Sequence, residues 1–161
     1  MDFYQGVVSE YLRADRSVFL NTECCIQINP ADNPDSSGPH WYCDVVAVDF
    51  RQSAIFLCEI SYSVKLQGLL KRLKDWESHW PALCSAVMRD CNLPTAWPIK
   101  PWIFVPEEKT ALLKSKLASI TSVDGKVAQM PEPLVTSLES VVPWKYKSWN
   151  RQIATECTEL P

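Results

Sequence analysis

The sequence predicts an α/β layer protein built on a mixed β-sheet, and three observations lead there. The stretch from Cys43 to Ser61 holds two runs rich in β-branched residues around a short polar turn, the signature of a hairpin. Both faces of that hairpin are largely apolar. Val46, Val48, Ile55 and Leu57 lie on one face, and Cys43, Val45, Ala47, Phe56, Cys58 and Ile60 on the other. A sheet with two apolar faces has to be covered on both sides. Helical patterns stand before and after the hairpin, giving the order helix, strand, hairpin, helix, strand, helix.

Residues 2–14 predict a helix, because Phe3, Val7, Tyr11 and Leu12 recur at helical spacing. Glu10 falls three residues after Val7 and seven after Phe3, which places it near that apolar face. Residues 17–28 are rich in strand formers and predict a first strand. From 29 to 40 comes a dense run of turn formers, long for a plain connection and so a candidate mobile or functional loop. The hairpin occupies 42–61. Residues 65–80 give the clearest helix, with Leu66, Leu69, Leu70, Leu73, Trp76 and Trp80 as its stripe. Lys65, Lys71, Arg72, Lys74, Asp75 and Glu77 fall mostly off that stripe. Pro81 starts a second helical piece with Leu83, Val87 and Met88. Residues 93–101 read as irregular, Trp102 to Val105 as a short buried strand, and Glu107 to about Ala118 as a helix opened by two acids. Residues 119–133 read as loop with a turn at Asp124-Gly125, and 134–142 as a short helix or strand. The expectation is a single domain over 1–161, with a core over about 2–118 and a C-terminal extension over about 119–161.

A chain of 161 residues is long enough for a sizeable core. Net charge is −3, so nucleic-acid binding would have to come from a local patch and not from the whole surface. No apolar run approaches the ~20 residues that span a bilayer, and no signal-peptide pattern opens the sequence. Seven cysteines without framework spacing suit a reducing compartment, so the expectation is a cytoplasmic protein without a membrane segment.

The chemistry is expected on the hairpin. If the strands are symmetric about a two-residue turn at Arg51-Gln52, Asp44 lies directly opposite Glu59. Opposed residues share a face, with Cβ atoms ~4.5–5.5 Å apart. Two like charges that close, among apolar neighbours, repel unless a cation sits between them.

A helix with an inward Glu, a hairpin with Asp on one strand and Glu on the next, and then a long helix resemble the PD-(D/E)xK nuclease superfamily. Cys43-Asp44 matches the family's Pro-Asp strand with Cys for Pro, and Glu59-Ile60-Ser61 matches Glu-x-Lys with Ser for Lys. The resemblance covers roughly residues 2–105 and implies a restriction-endonuclease-like core, a mixed β-sheet flanked by helices on both faces. It implies metal-dependent hydrolysis of phosphodiester bonds in nucleic acid, DNA more than RNA, with Mg²⁺ or Mn²⁺ as cofactor. Carried over by position, Asp44, Glu59 and the Ile60 carbonyl would be metal ligands, and Glu10 would hold a second ion or a water. Ser61 stands where the family's lysine does and has a pKa far too high for a base. Lys65, four residues later, is the candidate stand-in, with Lys71 a weaker one. Without a lysine, the alternative is a catalytically inactive relative that binds nucleic acid or a protein, and a homodimer is a further partner class.

Other chemistries are weaker. His40, Cys43, Cys84 and Cys91 offer zinc-type ligands but lack a Cys-x-x-Cys pair. Neither His40 nor His79 has an evident cysteine partner for nucleophilic catalysis. Four glycines with no P-loop spacing exclude a phosphate-cradling loop. The segment from Trp144 to Arg151 interleaves cations and aromatics, which suits base stacking, but it reads more readily as a tail docking its tryptophans on the core. The basic cluster Lys65, Lys71, Arg72 and Lys74 reads as a solvated helix face.

Overall fold

The computed structural model describes residues 2–29, 40–121 and 129–146. The elements are α1 (Phe3–Arg13), β1 (Val18–Gln27), β2 (His40–Asp49), β3 (Ala54–Ile60), α2 (Gln67–Asp90), β4 (Ile99–Val105), α3 (Glu107–Thr121) and β5 (Leu134–Ser137). Two 3₁₀ turns follow, Leu138–Val141 and Pro143–Lys145. The five strands form one sheet in the order β1-β2-β3-β4-β5. The β1–β2 and β2–β3 pairs are antiparallel, and the β3–β4 and β4–β5 pairs are parallel. The parallel pairs need crossovers, and α2 and α3 supply them.

The sheet separates two cores. On one face Val46, Ile55, Leu57, Ile103 and Val105 pack against Leu69, Leu73, Trp76, Trp80 and Leu83 of α2 and Leu113 and Leu117 of α3. On the other, Val45, Ala47, Phe56, Cys58, Trp102 and Phe104 pack against Val8, Tyr11 and Leu12 of α1 and against Leu138 and Val141. The expected mixed sheet with helices on both faces is therefore present. Trp102 is fully buried, and its indole N–H donates to Thr136 Oγ1 at 2.8 Å.

α1 starts at a reciprocal cap: Asp2 Oδ1 accepts from the Gln5 N–H and Gln5 Oε1 accepts from the Asp2 N–H. Its buried stripe is Val8, Tyr11 and Leu12, and Phe3 is 75% exposed. The periodicity is real, but its phase differs from the Phe3-Val7 stripe expected from sequence. α2 joins the two expected helical pieces across a kink at His79, where φ is −122° and ψ is 15°. Pro81, two residues on, has no N–H for the helical ladder and crowds the preceding turn. β4 begins three residues earlier than expected, through Pro101. β5 pairs only from Trp102 onward, so one flank of β4 at Pro101 has no strand partner and the missing N–H costs little. The segment expected as a C-terminal extension contributes β5, and Met130, Leu138 and Val141 are buried. Past the boundary expected near 118, Ile120 of α3 is buried in the α2-side core and β5 adds the fifth strand. The Asp124-Gly125 turn, most of the 29–40 loop and residues 147–151 lie outside the described residues.

The hairpin register is as expected, with Val46 opposite Leu57 and Asp49 opposite Ala54. The turn is longer, Phe50 to Ser53, with Ser53 at φ 51°. Asp49 punctuates it by accepting from the backbone N–H groups of Arg51 and Gln52, both at 3.0 Å. One face assignment is corrected. Cys43 packs in the α2-side core, although Val45 and Ala47 pack in the α1-side core. β1 does the same, with Val18 and Leu20 toward α1 but Cys24 and Ile26 toward α2. The inversion falls at Glu23 and Asp44, which the flanking pairs Thr22–Val45 and Cys24–Cys43 place opposite each other. Glu23 has φ 53°. A left-handed residue rotates the chain after it, so the alternation resumes on the other face.

Leu73 is fully buried between α2 and the sheet, whereas Leu112 on α3 is 49% exposed. Leu73→Ala is expected to lower the unfolding free energy by about 3 kcal/mol in urea titration, and Leu112→Ala by no more than about 0.5 kcal/mol.

Candidate acid-pair site

Asp44 and Glu59 meet where β2 and β3 separate. Backbone pairing between the strands ends at Val45–Cys58. Beyond it the Asp44 carboxylate takes over as acceptor for β3, and Oδ2 receives the Ile60 N–H at 2.7 Å. Oδ1 receives the Gln5 side-chain amide at 2.9 Å, so the N-terminus of α1 is pinned to the same carboxylate. Glu59 lies one residue back on β3 and is 2% exposed. Its Oε2 is paired with Arg72 Nη1 from the second turn of α2. Its Oε1 is buried without a hydrogen-bond partner.

The electrostatics follow from that burial. Desolvation and then the neighbouring Asp44 charge push the Glu59 carboxyl up to about 8, and the Arg72 cation offsets only part of this. Asp44 is also raised, by burial first, against the pull of the Ile60 N–H, Arg72 and Gln5. Glu59 therefore holds its proton well above the usual carboxylate range, although a guanidinium touches it. The buried cost of the anion exceeds the attraction of one half-exposed partner.

The acid pair expected from the hairpin is thus brought together, but the other expected members are not. Glu10 is on the solvent side of α1, its side chain 67% exposed and bonded to Arg13 at 3.2 Å. The reason is the phase of the helix. Val8 and Leu12 face the sheet, Gln5 shares their side three residues before Val8, and Gln5 takes the place expected for Glu10. Ile60 enters through its N–H. Ser61 is half-buried and its N–H donates to Phe104 O at 2.9 Å, continuing the β3–β4 ladder. Lys65 is exposed, in the loop before α2. Lys71 and Lys74 are exposed too, but Arg72 turns inward, which corrects its assignment to a solvated face.

Gln5 and Arg72 are the residues that sequence reasoning passed over. Both carried a signal. Gln5 stands three and seven residues before Val8 and Leu12, and Arg72 stands three after Leu69 and four before Trp76. A polar residue on a buried stripe points to a polar partner below it.

Residues close in sequence to Gln5 and Ile60 are aromatic. Tyr4, next to Gln5, stacks on Tyr62 with ring centroids 4.8 Å apart and planes 29° apart. Phe3 packs edge-on against Tyr4 at 5.4 Å. Phe3 and Tyr62 at the two ends of this ring contact are 75% and 53% exposed, and Val64 is 81% exposed. At the other end of the chain Tyr146 docks edge-on against Tyr11, while Trp144 is 80% exposed and does not dock on the core as expected.

As placed, the oxygens of the acid pair are mostly engaged by groups of the chain itself. Among the described residues no three His, Cys, Asp or Glu side chains converge. Both Asp44 oxygens accept hydrogen bonds, and a guanidinium occupies one Glu59 oxygen. The His40, Cys43, Cys84 and Cys91 zinc-type set is likewise not assembled among them. No helix among the described residues is long and apolar enough to cross a membrane. No protein-family model matches the chain, and no curated protein or solved structure matches it either.

Glu59 gains a proton on folding across the interval from about 4.5 to about 8, since its folded value lies above its unfolded one. Its contribution to stability is fully present below about pH 4.5 and is lost as pH rises through about 8. Urea titrations at pH 5 and pH 9 are expected to show Glu59→Gln with a smaller loss at pH 9 than the native chain. Arg72→Gln is expected to cost about 2–3 kcal/mol at pH 9 and clearly less at pH 5, where Glu59 can stay neutral.

Proposed function

We propose that this chain is a divergent, non-catalytic member of the PD-(D/E)xK nuclease superfamily that serves as a nucleic-acid-binding module. The observation that carries the reading is Arg72 seated on Glu59. The guanidinium of α2 meets the carboxyl group that a metal ion would meet in an active relative. The acid pair is then compensated from within the chain, and the scaffold keeps its geometry without a cofactor. The missing lysine at Ser61, the exposed Lys65 and the outward Glu10 agree with it.

The order of elements around the pair supports the restriction-endonuclease-like core. A helix precedes the first strand, the acids sit on the β2–β3 hairpin, and a long helix leads into β4. The binding half of the reading rests on the aromatic residues near Gln5 and Ile60. Stacked Tyr4 and Tyr62 and exposed Phe3 offer rings to unpaired bases, and Lys65 follows Tyr62 by three residues. Stacking is tolerant of base identity and suits a single strand, while the lysine neutralises phosphate. A cytoplasmic location agrees with the six unbridged cysteines described.

The second reading is a Mg²⁺- or Mn²⁺-dependent nuclease. It is favoured by one atom, Glu59 Oε1, buried with no partner beside Asp44. It requires Arg72 to withdraw from the pair.

Labelled single-stranded DNA is expected to bind in fluorescence anisotropy. Tyr62→Ala is expected to weaken binding roughly tenfold, and Lys65→Ala to reduce the slope of log K against log salt by about one. The native chain is expected to leave single- and double-stranded DNA and RNA intact with either metal. Cleavage that disappears in the Asp44→Ala, Glu59→Ala double variant would replace this reading by the second. Absence of both binding and cleavage would remove nucleic acid as the partner.

A further inference from the structure

One residue past Glu23 along β1, two thiols meet. Cys24 lies on β1, and Cys91 caps the C-terminus of α2. Their side chains share a hydrogen bond. The Asn21 side-chain amide donates to Cys24 Sγ at 3.4 Å and also bonds the Cys91 sulfur. Both cysteines are half-buried against the α2-side core, so a small reagent can reach them, unlike the buried Cys43 and Cys58.

The surrounding structure builds this meeting. Arg89, in the last turn of α2, donates through Nη2 to Gln27 O at 2.8 Å and through Nη1 to Ile28 O at 3.2 Å. That clasp holds the end of α2 on the end of β1. The inversion of β1 at Glu23 is equally necessary. Without it Cys24 would follow the alternation of Val18 and Leu20 and face α1. The left-handed residue turns the thiol toward Cys91.

We propose that Cys24 and Cys91 are a redox pair that closes reversibly to a disulfide and staples β1 to the end of α2. The oxidant class is a small-molecule disulfide such as oxidised glutathione. Cys91 is the attacking group, because the hydrogen bond from Cys24 lowers its thiol, against burial and Asp90. The same bond, with burial, raises Cys24 and keeps it protonated. The Cys91 thiolate attacks one sulfur of the oxidant, forming a mixed disulfide and releasing one small thiolate. Cys24 then gives up its proton and attacks Cys91 Sγ, forming the protein disulfide and releasing the second small thiolate. Two protein thiols are oxidised, the small disulfide is reduced to two thiols, and the two protons end on those products or in solvent. The closed loop encloses the whole β2–β3 hairpin and all of α2, so closure constrains the unfolded chain and raises Tm.

The native full-length chain is incubated in glutathione buffers of stepped ratio, alkylated, digested and mapped by mass. The expected product is a peptide pair linked through Cys24 and Cys91, with two fewer alkylatable thiols, a Tm raised by several degrees, and full reversal by dithiothreitol. Cys84→Ser is expected to leave the link intact, and Cys91→Ser to abolish both the link and the Tm rise. Linkage of either thiol mainly to Cys25, Cys84 or Cys157 would overturn the proposal. Stable glutathione adducts on both thiols, or no loss of thiols at any ratio, would overturn it as well.

Discussion

The arrangement turns on one carboxyl group that should not be comfortable where it is. Glu59 sits in a strand flanked by two other strands and covered by α2, at 2% exposure. Its environment leaves three ways to lower the cost of burial: a proton, a counter-ion or a ligand. The first two are visible. The carboxyl is pushed up to about 8, and Arg72 reaches it from α2. The third has a place, because Oε1 is buried with no partner. The position of α2 is coupled to this group, since Arg72 and Leu73 are adjacent and one side chain meets the acid while the next fills the core.

Asp44 links the same point to the other layer. Its two oxygens receive Gln5 from α1 and the N–H of Ile60 from β3. Helices on opposite faces of the sheet are thereby tied to neighbouring acids on one hairpin. The splaying of β2 from β3 beyond Val45–Cys58 makes room for this, and Asp44 supplies the acceptor that a continued ladder would have supplied. At the same level Glu23 turns β1 over, so the outer halves of β1 and β2 lend Cys24, Ile26 and Cys43 to the α2 side. The sheet changes its facing where its acids lie.

Much of this was legible in the amino-acid pattern. Hairpin register follows from period-two alternation, and it brought Asp44 beside Glu59. The stripe of α2 was equally plain, because six large apolar residues at helical spacing leave one orientation. The phase of α1 was not, because Phe3 and Val7 compete with Val8 and Leu12 in a short helix, and that misplaced Glu10. The inversion at Glu23 was invisible, since nothing in a run of strand formers announces a left-handed glutamate. Arg72 was set aside because its neighbours Lys71 and Lys74 are solvated, and charge runs are read together. Its spacing from Leu69 and Trp76 was the better guide.

The identity of the cation on Glu59 has a consequence for what the site can become. A lysine on this carboxylate would be a compact charge on a flexible stem, able to lose its proton when desolvated. Arg72 stays charged at any working pH and brings a planar donor set, of which one N–H group meets Glu59 Oε2 and also lies 3.5 Å from Tyr42 O. It can hold an acid in place, but it cannot serve as a base. The residue that compensates the buried charge is therefore one that offers no proton-abstracting group, and the exposed lysines near it lie outside the pair. On the proposed reading, the step from a metal-binding ancestor to a binding module needs no change of fold. It needs the lysine position to become Ser61 and a helix residue one turn into α2 to turn inward, after which the buried acid serves the architecture and the aromatic residues near Gln5 and Ile60 are left as the surface that meets other molecules.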